Sequence, residues 1–143
     1  MEIILFQIIA LIMSAIIHEY MHGWMANQLG DPTAKISGRL TLNPLVHIDL
    51  FGSILLPFIL VATKAGFVFG YAKPVPFNPY NLKDKQYGSA KVAIAGPMAN
   101  LAIALVFGMI LRFFPLPNIM LGILFATIVQ INLMLMIFNL LIY

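Results

Sequence analysis

With 143 residues, 62% of them hydrophobic and only 9% charged, the chain carries too little charge to cover a water-facing surface, where roughly 25% is usual, so a bilayer is its natural solvent. The formal charge of +3 is small and spread along the chain, without the Lys/Arg stripe that tracks nucleic acid, and the absence of cysteine excludes disulfides and thiolate metal sites. The length suits one membrane-embedded domain, 1–143.

Residues 3–29 are the first apolar segment, interrupted by Ser14, His18, Glu19 and His22 and closed by Gly30-Asp31-Pro32. The segment exceeds the roughly 20 residues of a span. It lacks the basic n-region and cleavage site of a signal peptide, so it reads as a retained membrane helix. Residues 31–50 alternate polar and apolar around Gly38, which predicts a short extended ribbon. Residues 51–70 are apolar but hold Pro57, Lys64 and Gly66, and predict one tilted span or a broken, re-entrant one. Pro74, Pro76 and Pro79 with several charges predict a surface loop over 71–88. Two further apolar helices follow over 89–113 and 118–143, joined by a turn at Pro115 and Pro117. The expected fold is an all-α polytopic membrane protein with about four transmembrane segments and a short extended or re-entrant ribbon between the first two. Lys and Arg divide too evenly between the two sides to orient it.

His18-Glu19-Tyr20-Met21-His22 reads HExxH. Positions i and i+4 share a helix face, so both imidazoles can reach one Zn²⁺, while Glu19 beside them can take a proton from a zinc-bound water and pass it to the leaving amine. Chance could place such a motif in a soluble helix. Three ionisable residues in five positions of an apolar stretch need an energetic reason, and a metal supplies one. His47, the remaining histidine, reads as a hydrogen-bonded residue ordering 31–50, a support behind the ligands, or a substitute ligand. Ala95, Gly96 and Ala99 predict close helix packing, and Asn100, inside a span, needs a partner, for which the 31–50 backbone is a candidate.

The HExxH helix, then the stretch through Asn43-Pro44 and His47-Ile48-Asp49, the loop Gly70 to Leu82, Ala95-Gly96-Pro97-Met98-Ala99-Asn100 and finally Phe138-Asn139-Leu140-Leu141 together resemble the site-2 protease family of intramembrane metalloproteases, in its compact bacterial form. The resemblance runs from about His18 to Leu141. It implies His18 and His22 as zinc ligands, Glu19 as the catalytic acid/base, and Asn139 as a residue that helps hold the substrate strand. It also implies a multi-pass protein of the bacterial cell membrane that cuts membrane-protein substrates within or near their transmembrane segments. The family continues past Asn-Leu-Leu to a Leu-Asp-Gly whose Asp is the third protein ligand. This chain departs there, with Ile142 and Tyr143 last, and the expectation is a chain truncated before that motif.

Three functions compete. The first is a zinc endopeptidase acting inside the membrane. The second is a catalytically inactive relative that binds membrane helices but lacks a complete zinc site. The third is a small transporter using His18 and Glu19 as a relay, which predicts ion flux and no cleavage. In the first, the substrate helix unwinds and adds as a strand to 31–50.

Overall fold

The protein is described here by a computed structural model covering residues 2–67 and 69–142. Helix α1 runs Glu2–Gln28 through a stretch rich in Leu, Ile, Ala and Met, free of proline, where a backbone in hydrocarbon must satisfy its own hydrogen bonds. It stops because Gly30 adopts φ 108°, a conformation costly for any residue with a β-carbon. The Gly30 N–H then reaches the Asn27 carbonyl at 3.2 Å and the Asp31 N–H the Ala26 carbonyl at 2.9 Å, the paired bonds that close a helix C-terminus.

Helix α5 (Gly88–Phe113) and helix α6 (Ile119–Ile142) are the other two elements long and apolar enough to cross a membrane. The Asn118 side chain starts α6 by accepting from Leu121 N–H at 2.8 Å. Helix α5 packs against both α1 and α6, and α1 also packs against α6. The middle of this three-helix arrangement is not purely apolar. Ile16, Val92 and Ala104 are buried there, but so are Ser14, His18, Asn100 and Asn132.

The fourth apolar element is short. A π-helical turn over Leu50–Leu55 leads into helix α4 (Leu56–Ala62), and together they cover Leu50–Ala62. At about 1.5 Å per residue that length is roughly 20 Å, well under a hydrocarbon core of about 30 Å. The stretch 51–70 is therefore broken rather than one continuous span-length helix. Pro57 lies inside the run, and Lys64 takes φ 52° just beyond it.

Residues 31–50 carry no strand; among the described residues there is none. They form an irregular loop with two single-turn helices, α2 (Thr33–Ile36) and α3 (Pro44–His47). Local capping defeats the alternation of polar and apolar residues. Asp31 accepts from the Thr33 N–H and hydroxyl, and Asn43 accepts from Leu45 N–H ahead of Pro44 at the first helical position. A substrate strand has no edge to join there. The extended chain lies instead in 71–78, where proline holds the backbone open. Tyr71 N–H donates to the Gly52 carbonyl at 3.0 Å and Lys73 N–H to the His47 carbonyl at 2.8 Å. This segment is more than a surface loop, since Ala72 and Val75 are buried. Gly23 of α1 lets it approach: a β-carbon there would stand 2.8 Å from a Val75 methyl.

Asp31 ties these loops together. Fully buried, it also accepts from Asn78 N–H at 2.6 Å and from the Asn81 side chain at 3.1 Å. Burial alone would raise its pKa, but the hydrogen bonds from Thr33, Asn78 and Asn81 outweigh that and hold the carboxyl below its ordinary range. Because the folded-state value is depressed, the stabilisation is complete above the unfolded value of about 3.9 and is lost as pH falls through the lower folded value. Asp31→Ala is expected to cost about 1–3 kcal/mol, read as a lower melting temperature in detergent at neutral pH. The gap between the two proteins should close on acidification below pH ~4; a gap independent of pH would show that the charge contributes nothing.

Candidate metal centre

One helical turn separates His18 from His22, and α1 turns both toward α5, where their side chains are buried. Their Nε2 atoms face each other at 3.0 Å, with the rings edge to face and centroids 4.6 Å apart. The far nitrogen of each ring is engaged by α5. His22 Nδ1 lies 2.7 Å from the Val92 carbonyl, and His18 Nδ1 lies 2.5 Å from Asn100 Oδ1. Asn100 thus finds its partner in the histidine and not in the 31–50 backbone. A carbonyl can only accept, so His22 Nδ1 carries the proton and Nε2 presents a lone pair.

The donor set fits zinc. Two imidazole Nε2 atoms 3.0 Å apart either share a proton or, where both present lone pairs, need a cation between or beside them to offset the repulsion. Two nitrogens bound to a tetrahedral zinc at about 2.0–2.1 Å each would stand about 3.3 Å apart, within a few tenths of an ångström of the observed spacing. The backbone leaves room as well. A β-carbon at Gly96 would lie 2.5 Å from His22 Nε2 and 2.6 Å from His18 Nε2, so the missing side chain keeps open the space at both ligand atoms. Gly96 is buried where α5 packs closely against α1, as its small size predicts, and the α1 side chains it faces there are the two imidazoles.

Glu19 completes the group: single ligand atoms of His18, Glu19 and His22 all lie within 4.8 Å of one another, the one such His/Asp/Glu cluster among the described residues. Glu19 Oε2 accepts from Val75 N–H at 3.0 Å, so the extended 71–78 segment fixes its carboxylate. Arg39 donates to the Lys73 and Pro74 carbonyls at 2.9 and 3.2 Å and braces the same segment. A cavity of about 590 Å³ opens beside Glu19 and His22, lined also by Val75, Pro97 and Asn139. Asn139 borders a second cavity with His18 and Glu19, while its side-chain NH₂ donates to the Leu135 carbonyl at 2.7 Å. His47 lies elsewhere. It is fully buried in the loop, its Nε2 2.6 Å from the Thr41 carbonyl, and it is not part of the cluster.

Curated relatives agree with this chemistry. The chain is 46% identical over 99 residues to "Putative zinc metalloprotease YwhC" of Bacillus subtilis, which covers 69% of this chain and 42% of that protein. It is 34% identical over 94 residues to "Putative zinc metalloprotease Rip2" of Mycolicibacterium smegmatis, covering 65% of this chain and 34% of that protein. The chain thus spans about two fifths and one third of the lengths of these relatives. No protein-family model and no solved structure matches it. Both relatives carry the name zinc metalloprotease.

Gly96→Ala tests the cradle. The added methyl must push both imidazoles aside, and each is held from behind by α5. Zinc affinity, measured by competition with a chelator, is expected to fall at least about tenfold, the lower end of what disturbing ligand orientation costs. Unchanged affinity would mean that the metal does not use this face of the histidines.

Proposed function

We propose that this chain carries the metal-binding part of a zinc endopeptidase of the site-2 protease type, which cuts membrane-protein substrates inside the lipid bilayer of a bacterial cell. The observation that carries the reading is a pair of buried, converging imidazoles with a half-buried carboxylate beside them, in a helix long and apolar enough to span a membrane. Ionisable residues at such depth are costly and mark function by default.

When bound, zinc supplies a Lewis acid and lowers the pKa of a coordinated water to about 7. His18 and His22 hold it through Nε2. Glu19 takes a proton from the attacking water on its carboxylate oxygen and delivers it to the amide nitrogen as the peptide C–N bond breaks. The Val75 N–H on Oε2 keeps that carboxylate aimed into the cavity. The cavity beside it is predominantly lined by Pro, Val, Ala and Ile, which suits an unwound apolar segment better than a polar peptide. Asn139, at the edge of both cavities, offers an amide to substrate backbone freed from its helix. Catalytic zinc usually takes three protein ligands, and the described cluster supplies two imidazoles once Glu19 is reserved for proton transfer.

The test uses the full-length protein purified in detergent, with zinc per chain and cleavage of a reconstituted membrane substrate measured together. Glu19→Gln is expected to keep about one zinc and lose about 10²–10⁴-fold in cleavage rate, the usual worth of general acid–base catalysis. His22→Ala should lose both. Cleavage undiminished in Glu19→Gln would sink the mechanism. A parent protein with neither zinc nor cleavage would favour the catalytically inactive helix-binding relative that lacks a complete zinc site.

A further inference from the structure

The polar residues buried between the three long helices form one connected chain, and its far end is anchored on backbone. Asn132 of α6 donates from Nδ2 to the Ile128 carbonyl at 2.9 Å and to Ser14 Oγ at 3.0 Å. A carbonyl only accepts, so this end of the Asn132 amide must be the NH₂ and the other end its oxygen. That oxygen accepts from Asn100 Nδ2 at 2.8 Å. Asn100 Nδ2 also faces the Ser14 carbonyl at 3.4 Å. Asn100 must therefore turn its own oxygen toward His18, where it stands 2.5 Å from Nδ1. An oxygen there requires the proton on Nδ1 and leaves the lone pair on Nε2, the atom that faces His22.

We propose that Asn132 is a positioning residue for the metal site: through Asn100 it selects the His18 tautomer that can bind a metal. Asn132 touches neither the metal position nor the cavity at Glu19 and His22. It acts through two amides, each of which would otherwise be free to rotate by half a turn. Asn100 and Asn132 are both fully buried, so a wrongly turned amide has no water to correct it. The device also ties α6, which carries Asn139 two turns further on, to α1, directly at Ser14 and through Asn100 at His18. The proposal rests on His18 being a metal ligand, as argued above.

The experiment takes the metal-free full-length protein with isotope-labelled histidine, reads the His18 tautomer by nitrogen NMR (assigned with His18→Gln), and then measures zinc affinity by chelator competition. The parent should show neutral His18 protonated at Nδ1. In Asn132→Leu, Asn100 loses the acceptor that orients it. The Nε2–H tautomer should appear and zinc affinity should fall about 10- to 100-fold, the range for losing an outer support of a ligand. Asn132→Asp should restore both readouts, because burial favours its protonated form, which keeps an acceptor for Asn100 and a donor for Ile128. If the leucine variant does not fold, Asn132→Val serves in its place. A variant that melts earlier, or binds zinc less well, while His18 stays protonated at Nδ1 would overturn the proposal and leave Asn132 a packing residue. A parent with the Nδ1–H tautomer that binds no zinc would overturn the metal reading while the tautomer comparison still decides this one.

Discussion

Two imidazole nitrogens held 3.0 Å apart inside an apolar helix are the constraint around which the rest of this chain is arranged. Bringing them together costs desolvation and mutual repulsion. Every neighbouring element supplies part of what offsets that cost. Helix α5 contributes the Val92 carbonyl and the Asn100 amide behind the rings, and the bare backbone of Gly96 in front of them. Helix α6 reaches the same histidine through Asn132. The three long helices therefore meet on a polar line, where an ordinary membrane bundle would meet on small apolar side chains.

The second constraint is the position of Glu19. On the proposed reading, a carboxylate beside His18 and His22 serves proton transfer only if it points at the cavity and away from the metal. Here an N–H from outside the helices decides that. Val75 belongs to a proline-held extended segment, and that segment is itself pinned by His47, Gly52, Arg39 and Asp31 through their carbonyls or side chains. This explains a loop rich in prolines and buried polar contacts beside a membrane helix: irregular backbone at this depth survives only where protein satisfies it. His47 takes part in that scaffold through its carbonyl, which bonds Lys73, and stays out of the cluster around Glu19.

Much of this was legible in the sequence. Predominantly apolar runs of more than about 20 residues specify membrane helices by length, and α1, α5 and α6 occupy the expected stretches within a few residues. The four-residue spacing of His18 and His22 puts their side chains on one face of any α-helix. The loops read less well. Alternation over 31–50 suggested a ribbon, but Asp31 and Asn43 offer side-chain oxygens to nearby N–H groups and turn the chain into helical turns instead. Prolines in 71–88 correctly excluded an α-helix through them, leaving only a 3₁₀ turn at Pro79–Asn81, yet nothing in their spacing showed that Val75 would be buried against Glu19.

By itself, the sequence determined that the chain belongs in a bilayer and that one helix presents two imidazoles and a carboxylate together, because composition and helical periodicity are local properties. Which nitrogens of the two imidazoles face each other was decided only by the tertiary structure. The tautomer of His18 depends on an amide 82 positions away and, through it, on another 32 positions further. The open space at the ligands depends on a glycine of α5 lying against α1. Such relations come from how helices pack, and a polar residue in an apolar span announces only that it needs a partner, without saying which one.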